Sequence, residues 1–259
     1  MSAPPASDPP ASADPATPSR RPEEHPGALS EVPASGSRRG LPLRGVVKYF
    51  HGPMDCGKST LALQMDHNFT RQGRHGLLLI KWDRTSPGVI SSRMGLVRPA
   101  VEVGDDMDLA TVIRTQWSRG MPVDYVIVDE AQFFTPEQVE QLCRMADDFQ
   151  VDIYGFGIAT DFRGRLFPGS ARWFELADEV QLLQVEVLCW CGRPGRFNAR
   201  VVHGVIVRTG STVLVADTAA PATLDEPDGQ DRVRYQVLCR SHHRSGELGP
   251  PSSRPDHLD

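Results

Sequence analysis

GPMDCGKS, Gly52 to Ser59, is the stretch on which the fold turns. It fits the pattern G-x-x-x-x-G-K-[ST], follows a short β-rich run from Val46 to Phe50, and opens a segment, Ser59 to Thr70, whose Leu61, Met65 and Phe69 share one helical face. Strand, glycine-rich turn and helix are the context in which this pattern cradles phosphates. The backbone N–H groups turn inward as an anion nest and the helix N-terminus adds its dipole. Lys58 then reaches the β- and γ-phosphates, and Ser59 offers an oxygen to Mg²⁺. Only three lysines occur in the chain, Lys48, Lys58 and Lys81, and one fills the required slot. Gly52, Pro53, Met54, Asp55, Cys56, Gly57, Lys58, Ser59 and the adjoining Thr60 are therefore read as the binding loop for the phosphates of a nucleoside triphosphate with its metal.

Outward from the loop, apolar strands alternate with helical patterns. Leu77 to Ile80 and Tyr125 to Val128 read as buried strands, Leu109 to Trp117 as a helix, and Val151 to Ile158 as a further strand. Thr135-Pro136-Glu137-Gln138 reads as a helix start, with Thr as cap, Pro at the first helical position and Gln three residues after the cap. Val139, Leu142, Met145 and Phe149 continue that helix on one face. The alternation predicts an α/β fold, a parallel sheet with helices on both faces. VIVDE places Asp129 and Glu130 at the end of a strand, where an open parallel sheet presents its ligands. Asp129 suits the Mg²⁺ shell, and Glu130 suits the acceptance of a proton from an attacking hydroxyl or water.

From about Val180 the texture changes to short strands, Val180 to Leu188, Val201 to Val207 and Thr212 to Val215, set among turns and cysteines. The expected organisation is a disordered tail over 1–43, a phosphate-loop domain over 44–180, a small cysteine-containing unit over 181–244 and a second disordered tail over 245–259. Residues 1–43 are rich in Pro, Ala, Ser and charge and lack the apolar content to offset their ordering entropy.

Bulk properties narrow the partners. With 28 basic against 33 acidic residues and a net charge of −5, the chain has no electrostatic footprint for a polyanion, so nucleic acid is disfavoured as the main partner. No run reaches the roughly 20 apolar residues of a membrane span, and no signal-peptide layout opens the chain. The expected location is the cytoplasm. Five cysteines without an export signal point to metal binding or burial rather than disulfides.

Taken together, GPMDCGKST, VDEAQFF at Val128 to Phe134, GIATDFRGRLFPGS at Gly157 to Ser170, CGRPGRFNAR at Cys191 to Arg200 and YQVLCRSHH at Tyr235 to His243 resemble the thymidine kinases of the cellular, tetrameric, zinc-containing type. The resemblance runs from about residue 45 to 243 in unbroken order. It implies ATP-dependent phosphorylation of the 5′-hydroxyl of thymidine, or deoxyuridine, in nucleotide salvage, and a homotetramer. By that resemblance Glu130 is the catalytic base, and Asp129, Glu130 and Gln132 join the phosphate loop in holding ATP. Met54 borders the thymine ring, Phe162 packs against the base, Asn198 lies near its methyl group and Tyr235 belongs to the lasso that closes over the nucleoside. Arg84 and Arg93 are candidates for phosphate contacts.

The family's zinc pattern is C-x-x-C followed by a distant C-x-x-C or C-x-x-H. Here the distal half is intact as Cys239 and His242, whereas Cys189-Trp190-Cys191 is one residue short and needs a tighter turn. Four ligands, Cys189, Cys191, Cys239 and His242, are expected to hold one structural Zn²⁺, with His243 as the alternative to His242. Cys56 and Cys143 read as packing residues. A second departure is an acidic insertion between Asp217 and Tyr235, inside the lasso. Two other functions stay open at this point. One is a phosphate-loop ATPase whose zinc unit binds a protein or single-stranded nucleic acid, with Glu130 activating water; the other is a kinase for a different deoxynucleoside.

Overall fold

Residues that alternate along a strand face opposite sides of its sheet, and here both sides are apolar, which calls for cover on both. The computed structural model describes residues 44–81, 88–92, 95–183, 185–212 and 233–250. In chain order they form β1 (Val47–His51), α1 (Lys58–Arg71), β2 (Gly76–Ile80), β3 (Val89–Ser91), β4 (Val97–Pro99), β5 (Val101–Glu102), α2 (Leu109–Ser118) and β6 (Tyr125–Asp129). A single 3-10 turn, Ala131–Phe133, leads to α3 (Pro136–Phe149), β7 (Asp152–Gly157), α4 (Pro168–Leu176) and β8 (Glu179–Leu182). The chain continues with β9 (Phe197–Val202), β10 (Val205–Ile206), β11 (Arg234–Leu238) and α5 (Arg240–Ser245).

Six strands make the central sheet in the order β5-β2-β6-β7-β1-β8, every neighbouring pair parallel. On one face Val47, Tyr49, Leu77, Leu79, Val126, Val128 and Ile153 meet α2, α3 and α4 through Leu109, Ile113, Val139, Leu142, Met145 and Trp173. On the other, Phe50, Leu78, Ile80, Ile127, Tyr154 and Phe156 meet Ala62 and Leu63 of α1 and Ile90 of β3. The expected α/β architecture is present. Its parallel order sends the C-terminal ends of β1, β6 and β7 to one edge, where ligands bind in open sheets.

Local signals held where they were local. Thr135 and Gln138 form a reciprocal capping box at the start of α3, with Pro136 at the first helical position. On α1 the inward face is rotated from the expected one: Ala62 and Leu63 are buried, while Leu61, Met65 and Phe69 pack at its flank. Phe149 is exposed at the end of α3, tilted against Trp117 with ring centroids 5.3 Å apart.

The later strands differ more. Val180 to Leu188 was expected as the first strand of the small unit. The strand is shorter, Glu179–Leu182, and pairs with β1 as the edge of the main sheet. Val201 to Val207 was expected as one strand; it is a hairpin of β9 and β10, reversed at His203 (φ +49°) and Gly204 (φ +73°). Strand β11 pairs antiparallel with the other side of β9, completing a three-stranded sheet. Arg84, Arg93, residues 1–43 and 251–259 of the expected tails, most of the strand expected over Thr212 to Val215 and most of the acidic insertion lie outside the described residues, whereas 245–250 of the expected second tail are described, Leu248 packing against Cys189, Ala199, Leu238 and Cys239.

Candidate active site

The phosphate loop leaves β1 and turns through Asp55 (φ +67°) and Gly57 (φ +80°), both left-handed, before entering α1. The Gly52 N–H donates to the Gly157 carbonyl at 3.3 Å, tying the start of the loop to the end of β7. A Cβ on Gly52 would sit 2.5 Å from the Cys56 sulfur, so glycine is required there, and buried Cys56 is a packing residue of the loop. Lys58 Nζ donates back to the Pro53 carbonyl at 2.9 Å. The ammonium is thus tied back to the backbone of the loop itself.

Asp129 ends β6 and is buried, with its Oδ1 accepting the Glu130 N–H at 3.0 Å. Burial, and then the neighbouring Glu130 carboxylate, push the Asp129 carboxyl well above the usual range, while hydrogen bonds from Ser59 and the Glu130 N–H and the charge of Lys58 pull it back. A buried carboxylate touching the loop serine is a pair of hard oxygen donors of the kind Mg²⁺ takes.

Glu130 follows with φ +51°, a conformation rare for a residue with a side chain and concentrated at functional sites. Its carboxylate accepts a hydrogen bond of 2.5 Å from Gln132 Nε2, while Gln132 Oε1 accepts the Ile158 N–H at 3.0 Å. Gln132 is buried and bridges Glu130 to the end of β7. Gly157 makes room for that bridge, because a Cβ there would stand 2.7 Å from Gln132 Oε1.

Beside the loop lies a second group of side chains. Asn198 of β9 accepts the Met54 N–H at 2.8 Å through Oδ1. Phe162 is buried in a turn closed by Asp161, whose Oδ1 accepts the N–H groups of Arg163 and Arg165 at 2.9 and 3.0 Å. The Arg200 guanidinium stands over the Phe162 ring, 3.8 Å from its centroid, and donates to the Tyr235 hydroxyl from Nε at 3.1 Å and Nη2 at 3.0 Å. Of the residues singled out from the sequence, Met54 is thus bonded to Asn198, and Phe162 is linked to Tyr235 through Arg200, with Asn198 and Arg200 two residues apart on β9. Arg200 itself entered the sequence reading only as the last residue of the CGRPGRFNAR stretch. Its position two residues after Asn198 on a strand was the available signal.

The sequence model of the thymidine kinase family matches residues 45–243. A thymidine kinase of Streptomyces coelicolor is 53% identical over 196 residues, covering 76% of this chain and 87% of its own. Those of Streptomyces avermitilis and Cutibacterium acnes are 51% and 50% identical, over 76% and 77% of this chain and 87% and 89% of theirs. The chain belongs to the thymidine kinase family. Membership carries the reaction with it: the chain is a transferase that uses ATP to phosphorylate thymidine in salvage. A match through both sheets disfavours the ATPase whose zinc unit binds a macromolecule.

The four residues expected as metal ligands also come together in this kinase. Cys189, Cys191, Cys239 and His242 bring their donor atoms within 4.8 Å of one another. Cys189 Sγ is 3.4 Å and Cys239 Sγ 3.6 Å from His242 Nδ1, and Cys191 Sγ is 4.0 Å from Cys239 Sγ. Four tetrahedral ligands at zinc bond lengths stand about 3.5–3.8 Å apart, so the cluster fits the ion. The shortened Cys-Trp-Cys spacing is taken up by a tight turn in which Gly192, at φ +78°, donates its N–H to the Cys189 carbonyl at 2.8 Å. Trp190 stacks on the His242 ring, 4.2 Å between centroids. The alternative ligand His243 is engaged elsewhere: it stacks on Phe197, and its Nε2 lies 2.9 Å from the Phe162 carbonyl. Cys143 sits on α3 outside the cluster, its thiol pushed up to about 11 chiefly by burial.

Proposed function

We propose that Glu130 takes the proton from the 5′-hydroxyl of thymidine, or of deoxyuridine, as that oxygen attacks the γ-phosphorus of ATP. The bond to the β,γ-bridging oxygen breaks, ADP leaves, and dTMP forms. Support for this reading is the Gln132 bridge, which aims one carboxylate oxygen while leaving the other to the substrate. Such transfers pass through a loose transition state with little covalent work for the protein, so positioning and charge stabilisation carry most of the catalysis. Gly52 to Thr60 hold the triphosphate, with Lys58 at the β- and γ-phosphates. Ser59 and Asp129 would hold Mg²⁺, which when bound draws charge from the phosphate oxygens. Met54, Phe162, Asn198 and Tyr235 form the nucleoside side. The test is ATP consumption with thymidine, deoxycytidine, deoxyadenosine, deoxyguanosine or no nucleoside, with the products identified. Thymidine-dependent dTMP is the expected result; ATP hydrolysis indifferent to nucleoside would overturn the assignment.

The small unit, expected over 181–244, is proposed to be held together by one structural Zn²⁺ on Cys189, Cys191, Cys239 and His242. In support, the backbone N–H of His242 lowers the Cys239 thiol toward the thiolate that zinc requires. Purified protein is expected to carry about one zinc per chain, and Cys239→Ser to lose it along with on the order of 5 °C or more of melting temperature. Metal analysis and a thermal melt read both; full zinc content in the variant would dismiss the assignment. A homotetramer in the cytoplasm completes the reading, on the family resemblance and on the observation that no helix among the described residues is long and apolar enough to cross a membrane.

A further inference from the structure

Arg200 carries more than its place at the end of the CGRPGRFNAR stretch suggested. It is 1% exposed, and none of the ion pairs among the described residues includes it. A buried guanidinium without a carboxylate is expensive unless stacking and hydrogen bonds offset the lost hydration. Both are present: the cation stands over Phe162, 3.8 Å from its centroid, and it gives two hydrogen bonds to one hydroxyl. An apolar side chain would fill the same space at lower cost. The charge is therefore better explained by what it organises than by stability.

What it organises is the nucleoside side. Tyr235 stands opposite Arg200 in the β9–β11 register, so the guanidinium reaches across the sheet and fixes the tyrosine hydroxyl. The same group packs on the Phe162 ring, which is buried and has the Arg163 guanidinium 5.4 Å from its centroid. Asn198, one pleat earlier on the same face of β9, is bonded to the Met54 N–H, so the strand is anchored to the phosphate loop independently of Arg200.

We propose that Arg200 is a positioning residue for nucleoside recognition, locking the Phe162 ring and the Tyr235 hydroxyl in the arrangement that receives the base. This rests on the thymidine kinase reading. Its signature is a split between the two substrates, because Arg200 touches Phe162 and Tyr235 and not the phosphate loop.

The experiment compares the full-length protein with Arg200→Met, Arg200→Lys and Tyr235→Phe, measuring kcat and the Michaelis constants for thymidine and ATP beside melting temperature and zinc content. Arg200→Met is expected to raise KM for thymidine about tenfold or more, with KM for ATP within about twofold, from the loss of one cation–π contact and two hydrogen bonds. Arg200→Lys keeps the charge but not the planar fork, and is expected to fall on the Met side rather than to rescue. Tyr235→Phe loses only the hydroxyl and is expected to raise the same constant about two- to fivefold. An unchanged thymidine KM in folded Arg200→Met overturns the proposal, as does a parallel rise in both constants with a lowered melting temperature. If Arg200→Met does not fold, Tyr235→Phe decides, and an unchanged thymidine KM there overturns it equally. Failure of the parent protein to phosphorylate thymidine would sink the functional reading itself, a result separate from any difference among variants.

Discussion

Glu130→Gln is expected to lower kcat by about 10²- to 10⁴-fold while ATP binds almost as before, the range for loss of a positioned general base. The change is nearly isosteric, so the left-handed backbone at Glu130 and the packing of the 3-10 turn have no reason to move. What disappears is an acceptor for the proton of the attacking hydroxyl. The phosphate loop does not contact this side chain, and the nearest link, Gln132, is held from its far side by the Ile158 N–H. Steady-state kinetics with thymidine, paired with titration of ATP in the absence of nucleoside, separates the two effects. Turnover within a few-fold of the parent would remove Glu130 from its assigned role.

Lys58→Met should act on the other substrate. An expected fall of about 10²- to 10³-fold in kcat/KM for ATP matches the loss of one preorganised charge at a site of developing negative charge. The hydrogen bond from Nζ to the Pro53 carbonyl ties the ammonium to the loop backbone. Methionine keeps the length and the apolar stem, so α1, which begins at Lys58, should form as before. Kinetics with ATP varied at saturating thymidine, with circular dichroism to verify the fold, measures the effect. If the variant kept its kcat/KM for ATP, Lys58 would have no part in holding the β- and γ-phosphates.

Each of these residues was legible because its signal is short. A phosphate loop is eight residues whose backbone geometry and lysine act together, and VIVDE is a strand whose last carboxylates must face the same edge as the loop. The capping box at Thr135 and Gln138 was readable for the same reason, since cap and partner lie three residues apart. The misread segments were those whose fate depends on a distant partner. β8 became an edge strand of the main sheet because β1, some 130 residues earlier, offered its open side. His243 lies outside the Cys/His cluster, which takes His242 instead, because Phe162 and Phe197 claimed its ring.

The amino-acid sequence by itself determined the class of fold, the phosphate loop, the carboxylate pair Asp129 and Glu130 at the end of β6 and the four Cys and His residues that cluster, since periodicity, turn chemistry and ligand type act over a few residues. Tertiary structure alone decided which distant side chains meet: Asn198 on the Met54 N–H across 144 residues, Arg200 on Phe162, and Gln132 between Glu130 and β7. Those meetings follow from strand order and crossover connections, which a local pattern does not encode. They come into being only when burial of both faces of the sheet brings the C-terminal ends of its strands to one edge.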